Sequence, residues 1–128
     1  MENQKLSINI MKENVIKEKS YEFALEIIQL SKVLNESRQF VLSKQILKSG
    51  TSIGANVEEG IGGQTKKDFR AKFSIAYKEA RETHYWLRLL KDSKLIPAKD
   101  ANLLIRDCHE LKRILGAILV SLNNSLER

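Results

Sequence analysis

A row of basic side chains in the third quarter of the chain has the spacing and the chemistry needed to hold phosphate groups. At about 100° per residue, its members fall within a sector of roughly 80° on one helix. Exposed cations can lie along a phosphate backbone, and an aromatic ring among them can stack on an unpaired base. This basic row consists of Lys67, Arg70, Lys78, Arg81, Tyr85 and Arg88.

Most of the net charge of the chain comes from the segment that holds the basic row. Residues 61–95 contain nine Lys or Arg and four Asp or Glu, a net +5 out of +6 for the whole chain. The row therefore predicts a face that binds RNA or DNA mainly through phosphates, with weak sequence preference and strong salt dependence. Two alternatives stay open. The row is a solvated helix face, or the protein is an assembly or scaffold module that docks an acidic partner protein and has no nucleic-acid role.

The residues that could support catalysis or metal binding lack suitable partners. A di-metal site in a helical bundle needs Glu-x-x-His pairs, but Arg81 and Arg106 stand three residues before His84 and His109. Cys108 and His109 do not form a nucleophile pair, because adjacent helical residues point about 100° apart. The sequence thus predicts no enzymatic activity, no cofactor and no metal.

A second face of the same helix combines apolar side chains with carboxylates. Its members, called here the interface patch, are Ile75, Glu79, Glu82, Trp86 and Leu89. The core stripe of this helix is complete without them, so the patch predicts a contact between subunits, for which Trp is well suited. The alternative is that this face widens the core of the monomer.

Four segments repeat apolar residues at steps of three and four, which predicts four amphipathic helices. The clearest core row belongs to the third helix and consists of Phe69, Phe73, Ala76, Ala80, Thr83, Leu87 and Leu90. That helix is expected to begin after Thr65, an N-cap with Asp68 three positions on, and to reach about Lys91. Pro97 is expected to open the fourth helix.

The first two helices have less distinct limits. The first is expected to run from Asn14 or Ser20 to about Glu36, and the second from a possible N-cap at Ser37 to about Glu59. No useful length of sequence alternates with period two, so no strands are predicted. Short connections between four helices predict an all-α, antiparallel up-down-up-down bundle over residues 14–128, after a flexible arm at 1–13.

Small residues in the second helix predict close packing against a neighbour. Gly50 and Gly54 stand four apart, and each glycine in a helix costs about 1 kcal/mol relative to Ala, which close helix approach can offset. Ile53 and Val57 lie on the same side, and Asn56 and Glu59 are expected to make polar contacts between helices or an ion pair with Arg or Lys. A phosphate-binding loop is the alternative, but the glycine spacing fits neither of the common motifs.

The remaining composition fits a cytoplasmic protein. The single cysteine, Cys108, cannot form an internal disulfide and is expected to be a small buried hydrophobe. The N-terminal sequence lacks the apolar run of a signal peptide. No segment approaches the roughly 20 apolar residues that span a membrane, so no membrane partner is expected.

The segment SGTSIGANVEEG, followed by KKDFRAKFSIAYKEARETHYWLRLL, resembles a bacterial family known as four helix bundle proteins. The family includes proteins encoded in intervening sequences of large-subunit ribosomal RNA genes, and the accessory variability determinant of diversity-generating retroelements is more distantly similar. The resemblance implies a ring-like homopentamer of four-helix bundles without enzymatic activity. It also raises the expectation of nucleic-acid binding, which is associated with some relatives. The matching positions are Ser52, Ile53, Asn56, Glu59, Asp68, Phe69, Ala76, Glu79, Glu82, Trp86 and Leu87.

Overall fold

The chain folds into four long helices joined by three short connections. A computed structural model describes the backbone of residues 2–126 and the side chains of residues 11–124. The helices are α1 (Glu2–Glu36), α2 (Phe40–Ile61), α3 (Lys66–Asp92) and α4 (Ala98–Leu126). Within residues 2–126 there is no strand, which confirms the predicted all-α class.

The helices pack in the order in which they occur along the chain. Contacts join α1 to α2, α2 to α3, α3 to α4 and, less extensively, α4 back to α1, whereas the diagonal pairs are held apart by the core. Because each connection is short, successive helices run antiparallel. The result is the predicted up-down-up-down bundle.

The core is built from the predicted apolar rows. In α3 all but one of the residues of the predicted row are buried, and Phe69 at its start is half-buried, stacked on Phe73 with a centroid distance of 4.0 Å. In α4 the buried positions include Cys108, Leu111 and Leu115. Since one side of α3 is fully occupied by the core, the opposite side is left to face outward.

The glycines of α2 lie where it meets its two neighbours most closely. A Cβ atom at Gly50 would lie 2.8 Å from the side chain of Ile27 in α1, and one at Gly54 would lie 3.3 Å from the backbone oxygen of Ser20. At the other end of α2, a Cβ atom at Gly60 would lie 2.7 Å from the ring of Phe73 in α3. Glycine therefore lets α2 sit against both α1 and α3.

The other members of the small-residue segment have different surroundings. Ile53 and Val57 are fully buried in the core. Asn56 is half-buried, and its Nδ2 donates to the carbonyl oxygen of Ser52, 2.8 Å away in the same helix. Glu59 makes the expected contact between helices, an ion pair in which its carboxylate lies 2.8 Å from the Lys72 ammonium of α3.

Two of the predicted helix starts are wrong. The first helix begins at Glu2 rather than at Asn14 or Ser20, because residues 2–13 contain no Gly or Pro to interrupt it, and extending a helix costs less than nucleating one. The flexibility of the arm at 1–13 stays a prediction. The second helix begins at Phe40, and Ser37 is not its N-cap, since the Ser37 hydroxyl donates back to Val33 in α1.

The end of α1 explains the late start of α2, and α3 ends in the same way. Two residues after each of these helices ends, the chain passes through the left-handed region, at Arg38 (φ 61°) and at Lys94 (φ 62°). After Arg38, the Gln39 amide donates to the Leu34 carbonyl at 2.8 Å, and the Leu95 amide closes α3 in the same way. This is the Schellman pattern, which usually has glycine at the left-handed position.

The other predicted helix limits agree closely with the structure. The Thr65 hydroxyl accepts from the Asp68 amide at 3.0 Å, which confirms the predicted N-cap of α3. Pro97 directly precedes α4, and its carbonyl accepts from the Ala101 amide. Among the described residues, no helix combines the length and the hydropathy of a membrane span.

Candidate nucleic-acid interface

All six residues of the basic row lie on the outward side of α3 and are exposed. The core side of the same helix is anchored by Ala76, Ala80 and Leu87, each of them fully buried. Burial of this stripe fixes the rotation of α3 about its axis, so the residues half a turn away must face solvent. The structure thus brings the predicted cations together along one accessible strip.

The cations of the basic row have no carboxylate partner in the part of the chain whose side chains are described. Lys72, on the flank of α3 that faces α2, is different, because it forms an ion pair with Glu59. The basic row therefore keeps its positive charge, whereas the charge of Lys72 is balanced by Glu59.

Tyr85 is the aromatic member of the basic row, with 47% of its surface exposed. The Arg88 guanidinium carbon lies 6.0 Å from the centre of the Tyr85 ring. The Trp86 ring packs edge-on at 5.1 Å. These contacts orient the phenol ring beside a cation and leave part of its surface open to solvent.

The interface patch lies on the other side of α3, toward α2. Ile75 and Leu89 are exposed at 40% and 39%, and Glu82 is also exposed, whereas Glu79 and Trp86 are half-buried. The Trp86 indole Nε1 is buried and has no hydrogen-bond partner among the described residues. The patch is thus partly apolar and carries one unsatisfied donor.

The carboxylates of the patch influence one another. Burial raises the pKa of Glu79, and repulsion from Glu82 raises it further, while Lys48 of α2 acts in the opposite direction. The two carboxylates are therefore not both compensated within the monomer.

Comparison with known proteins places the fold in a family. The family model described as 23S rRNA-intervening sequence protein matches residues 12–117. The chain belongs to this family. A crystal structure of a protein of unknown function from the S23 ribosomal protein family of Bacteroides thetaiotaomicron VPI-5482 is 47% identical, with a TM-score of 0.81. The match covers 84% of this chain and 97% of that one. No curated protein matches the chain.

The residues with catalytic potential are separated or buried. Cys108 is fully buried, its thiol donates to the Ala80 carbonyl at 3.2 Å, and burial raises the pKa of the thiol to about 12. His109, next in the chain, is exposed on a different side of α4. Among the described residues there is no group of three or more His, Cys, Asp or Glu that could hold a metal ion.

One neighbour of the basic row was missed by sequence reasoning. Lys112 of α4 places its Nζ 3.5 Å from Nδ1 of His84 in α3. The two residues are 28 positions apart, and their contact depends on the register between two helices. The only signal in the sequence is that Lys112 stands four residues after the core position Cys108, so it must lie near the edge of the core stripe.

Proposed function

We propose that this protein is a non-enzymatic, oligomeric bundle that binds RNA or DNA through the basic row, weakly and with little sequence preference. The observation that carries the proposal is an exposed strip of five cations and one aromatic ring on α3, with no carboxylate partner among the described residues. A cytoplasmic location belongs to the proposal, in keeping with the unpaired, buried Cys108.

The charge distribution supports this function on physical grounds. Like charges along one helix face repel one another and bring no stability unless counter-charges offset them. A nucleic-acid backbone supplies such counter-charges at regular spacing, and the release of its condensed counterions favours binding. Tyr85 adds a ring on which a base could stack, which is worth about 1–3 kcal/mol per base in single-strand binders.

The number of phosphate contacts determines how steeply the affinity for nucleic acid falls with salt concentration. If all five cations contact phosphates, the logarithm of the affinity should fall with the logarithm of the salt concentration with a slope of about −3.5 on a single strand. The corresponding slope on duplex DNA would be about −4.5. Measured slopes thus report how many members of the basic row take part.

The test is a charge reversal with a matched control. The variant Arg70→Glu/Lys78→Glu/Arg81→Glu is expected to abolish a salt-sensitive mobility shift of an RNA or DNA oligonucleotide. The control Lys32→Glu/Lys44→Glu/Lys99→Glu changes the net charge equally, at exposed lysines of α1, α2 and the start of α4, and should keep most of the shift. If both variants lose the mobility shift equally, binding depends on net charge and not on the basic row. If the variant in the basic row keeps the mobility shift, the basic row is not the binding surface.

Oligomerisation is supported by the interface patch. Ile75 and Leu89 are exposed apolar residues, and Trp86 carries a buried donor without a partner. A second subunit would cover these side chains, and the family resemblance implies a homopentamer. Light scattering should give a multiple of 14.7 kDa for the native protein and a lower mass for Ile75→Glu/Leu89→Glu. A native monomer at micromolar concentration would overturn this part of the proposal.

A further inference from the structure

A second group of basic side chains lies where α3 meets α4, beside the basic row. His84 of α3 and Lys112 of α4 are both half-buried, and their nitrogens are 3.5 Å apart. Arg88, a member of the basic row, stands four residues after His84 and so lies one turn further along the same face. Its charge and that of His109 both act on the His84 imidazole.

The charges that act on this imidazole all have the same sign. Burial lowers the pKa of His84 below its ordinary value of 6.5, and Lys112, Arg88 and His109 lower it further in that order. Cys108, four residues before Lys112 in α4, does not offset them, because its thiol, with a pKa of about 12, is neutral. At neutral pH His84 is therefore uncharged, and its Nδ1 can accept a hydrogen from the Lys112 ammonium.

We infer that this junction is a phosphate-binding site in which His84 takes up one proton from solvent as a nucleic-acid phosphate binds between Lys112 and Arg88. The inference rests on the proposed function, since the phosphate belongs to a strand that lies along the basic row. The phosphate oxygens accept hydrogens from the ammonium and the guanidinium. Their negative charge offsets the repulsion that keeps the imidazole neutral, and the protonated ring then donates to the phosphate as well.

The consequence is binding that tightens as the pH falls. The pKa of His84 is low in the free protein and rises when the anion is bound, so the complex holds more protons than its separated components. Between the two pKa values, the Kd should decrease by about tenfold for each unit of decreasing pH. Lys and Arg do not titrate in this range, so the remainder of the basic row cannot produce this slope.

The first experiment measures the affinity for a fluorescent single-stranded RNA oligonucleotide by anisotropy, from about pH 5 to about pH 8. The native protein should bind at least several-fold more tightly at the acid end. His84→Gln should lose most of the pH dependence and bind more weakly than the native protein at the acid end. His109→Gln, which removes the other histidine, should keep it. Equal slopes in the native protein and in His84→Gln would overturn the inference while the proposed function stands.

The second experiment follows the His84 ring by NMR in the native protein, so it does not depend on a variant that folds. Its pKa is measured alone, with the oligonucleotide and with inorganic tripolyphosphate. A higher pKa with either ligand supports the phosphate site, and an unchanged pKa despite saturation overturns it. If tripolyphosphate raises the pKa but the oligonucleotide does not bind, the anion site stands and the proposed function falls. If neither ligand binds, both are wrong.

Discussion

The polar side chains of Thr83 and Cys108 inside the bundle have partners within the protein, whereas the cations of the basic row of α3 do not have carboxylate partners among the described residues. Inside, the Thr83 hydroxyl lies 2.9 Å from the Ser49 hydroxyl of α2, and the Cys108 thiol donates to the Ala80 carbonyl. Along the basic row, five cations stand in solvent without a carboxylate partner among the described residues. A buried polar group without a partner costs about 1–3 kcal/mol, whereas an exposed one is satisfied by water.

This difference separates structural polar groups from groups available to a ligand. An unpaired polar group is costly when it is buried, so the interior hydrogen bonds of Thr83 and Cys108 are explained by the fold alone. On the surface pairing is optional, and Lys72 shows that α3 can form an ion pair where α2 supplies an acid. The lack of such partners along the basic row is therefore the informative feature.

Adding one methyl group inside should disturb the molecule most. Gly50→Ala would place a Cβ atom 2.8 Å from the buried Ile27 side chain, and we expect the free energy of unfolding to fall by about 2 kcal/mol, the typical cost of overpacking. Gly116→Ala is the matched control, because its Cβ atom would lie 3.7 Å from Tyr77. That variant should be stabilised by up to about 1 kcal/mol. Urea denaturation followed by circular dichroism measures both, and stabilisation of both would refute the close approach of α1 and α2.

Removing one interior hydroxyl should have the next largest effect. Thr83→Val keeps the shape but removes the closer partner of the buried Ser49 hydroxyl, which is left with a longer contact of 3.5 Å to the Ile46 carbonyl. We expect a loss of about 1.5 kcal/mol in the free energy of unfolding. The double variant Thr83→Val/Ser49→Ala removes both groups and should recover part of that loss. A double variant that loses the sum of the two single effects would mean that the hydroxyls do not interact.

The Cys108 thiol makes the free energy of unfolding depend on pH. Its pKa is about 12 in the folded protein and about 9.0 when the thiol is exposed. Because the folded pKa is the higher one, this contribution to stability is fully present below pH 9.0 and is lost as the pH rises toward 12. Between about pH 9 and pH 10, we expect a loss of about 1 kcal/mol. Urea titrations at several pH values test this, and Cys108→Ala should show the smaller slope.

Reversing charges on the basic row should affect stability least. Because these side chains make no ion pair within the described part of the chain, Arg70→Glu/Lys78→Glu/Arg81→Glu should unfold within about 0.5 kcal/mol of the native protein. The same urea titrations provide the measurement. A large loss of stability would show that these cations support the fold and would weaken the contrast with the interior.

Sequence periodicity predicted the arrangement of the bundle well because core residues must recur on one side of each helix. Ala76, Ala80 and Leu87 were placed on the core side of α3 from spacing alone, and all three are fully buried. The outward position of the basic row follows from the same geometry. The Thr65 cap was also predictable, because its chemistry involves only residues three positions apart.

The features that the sequence did not reveal depend on other helices or on unusual backbone. Arg38 and Lys94 occupy left-handed positions for which glycine is the usual indicator. The contact between His84 and Lys112 needs the relative register of α3 and α4, which is set by packing across the whole bundle. Local spacing contains no information about that register.

Neighbouring helices differ in how extensively they contact each other, and this difference predicts where the bundle opens locally. α2 is held through glycines against both α1 and α3, whereas α4 returns to α1 along the least extensive contact, where Lys19 and Glu110 meet at 2.9 Å on the surface. Transient opening should start at that junction, where α4 separates from α1 while it stays packed against α3. Amide protons of α4 should then exchange with deuterium before those of α2, and the side of the core between α1 and α4 would be the first that solvent reaches.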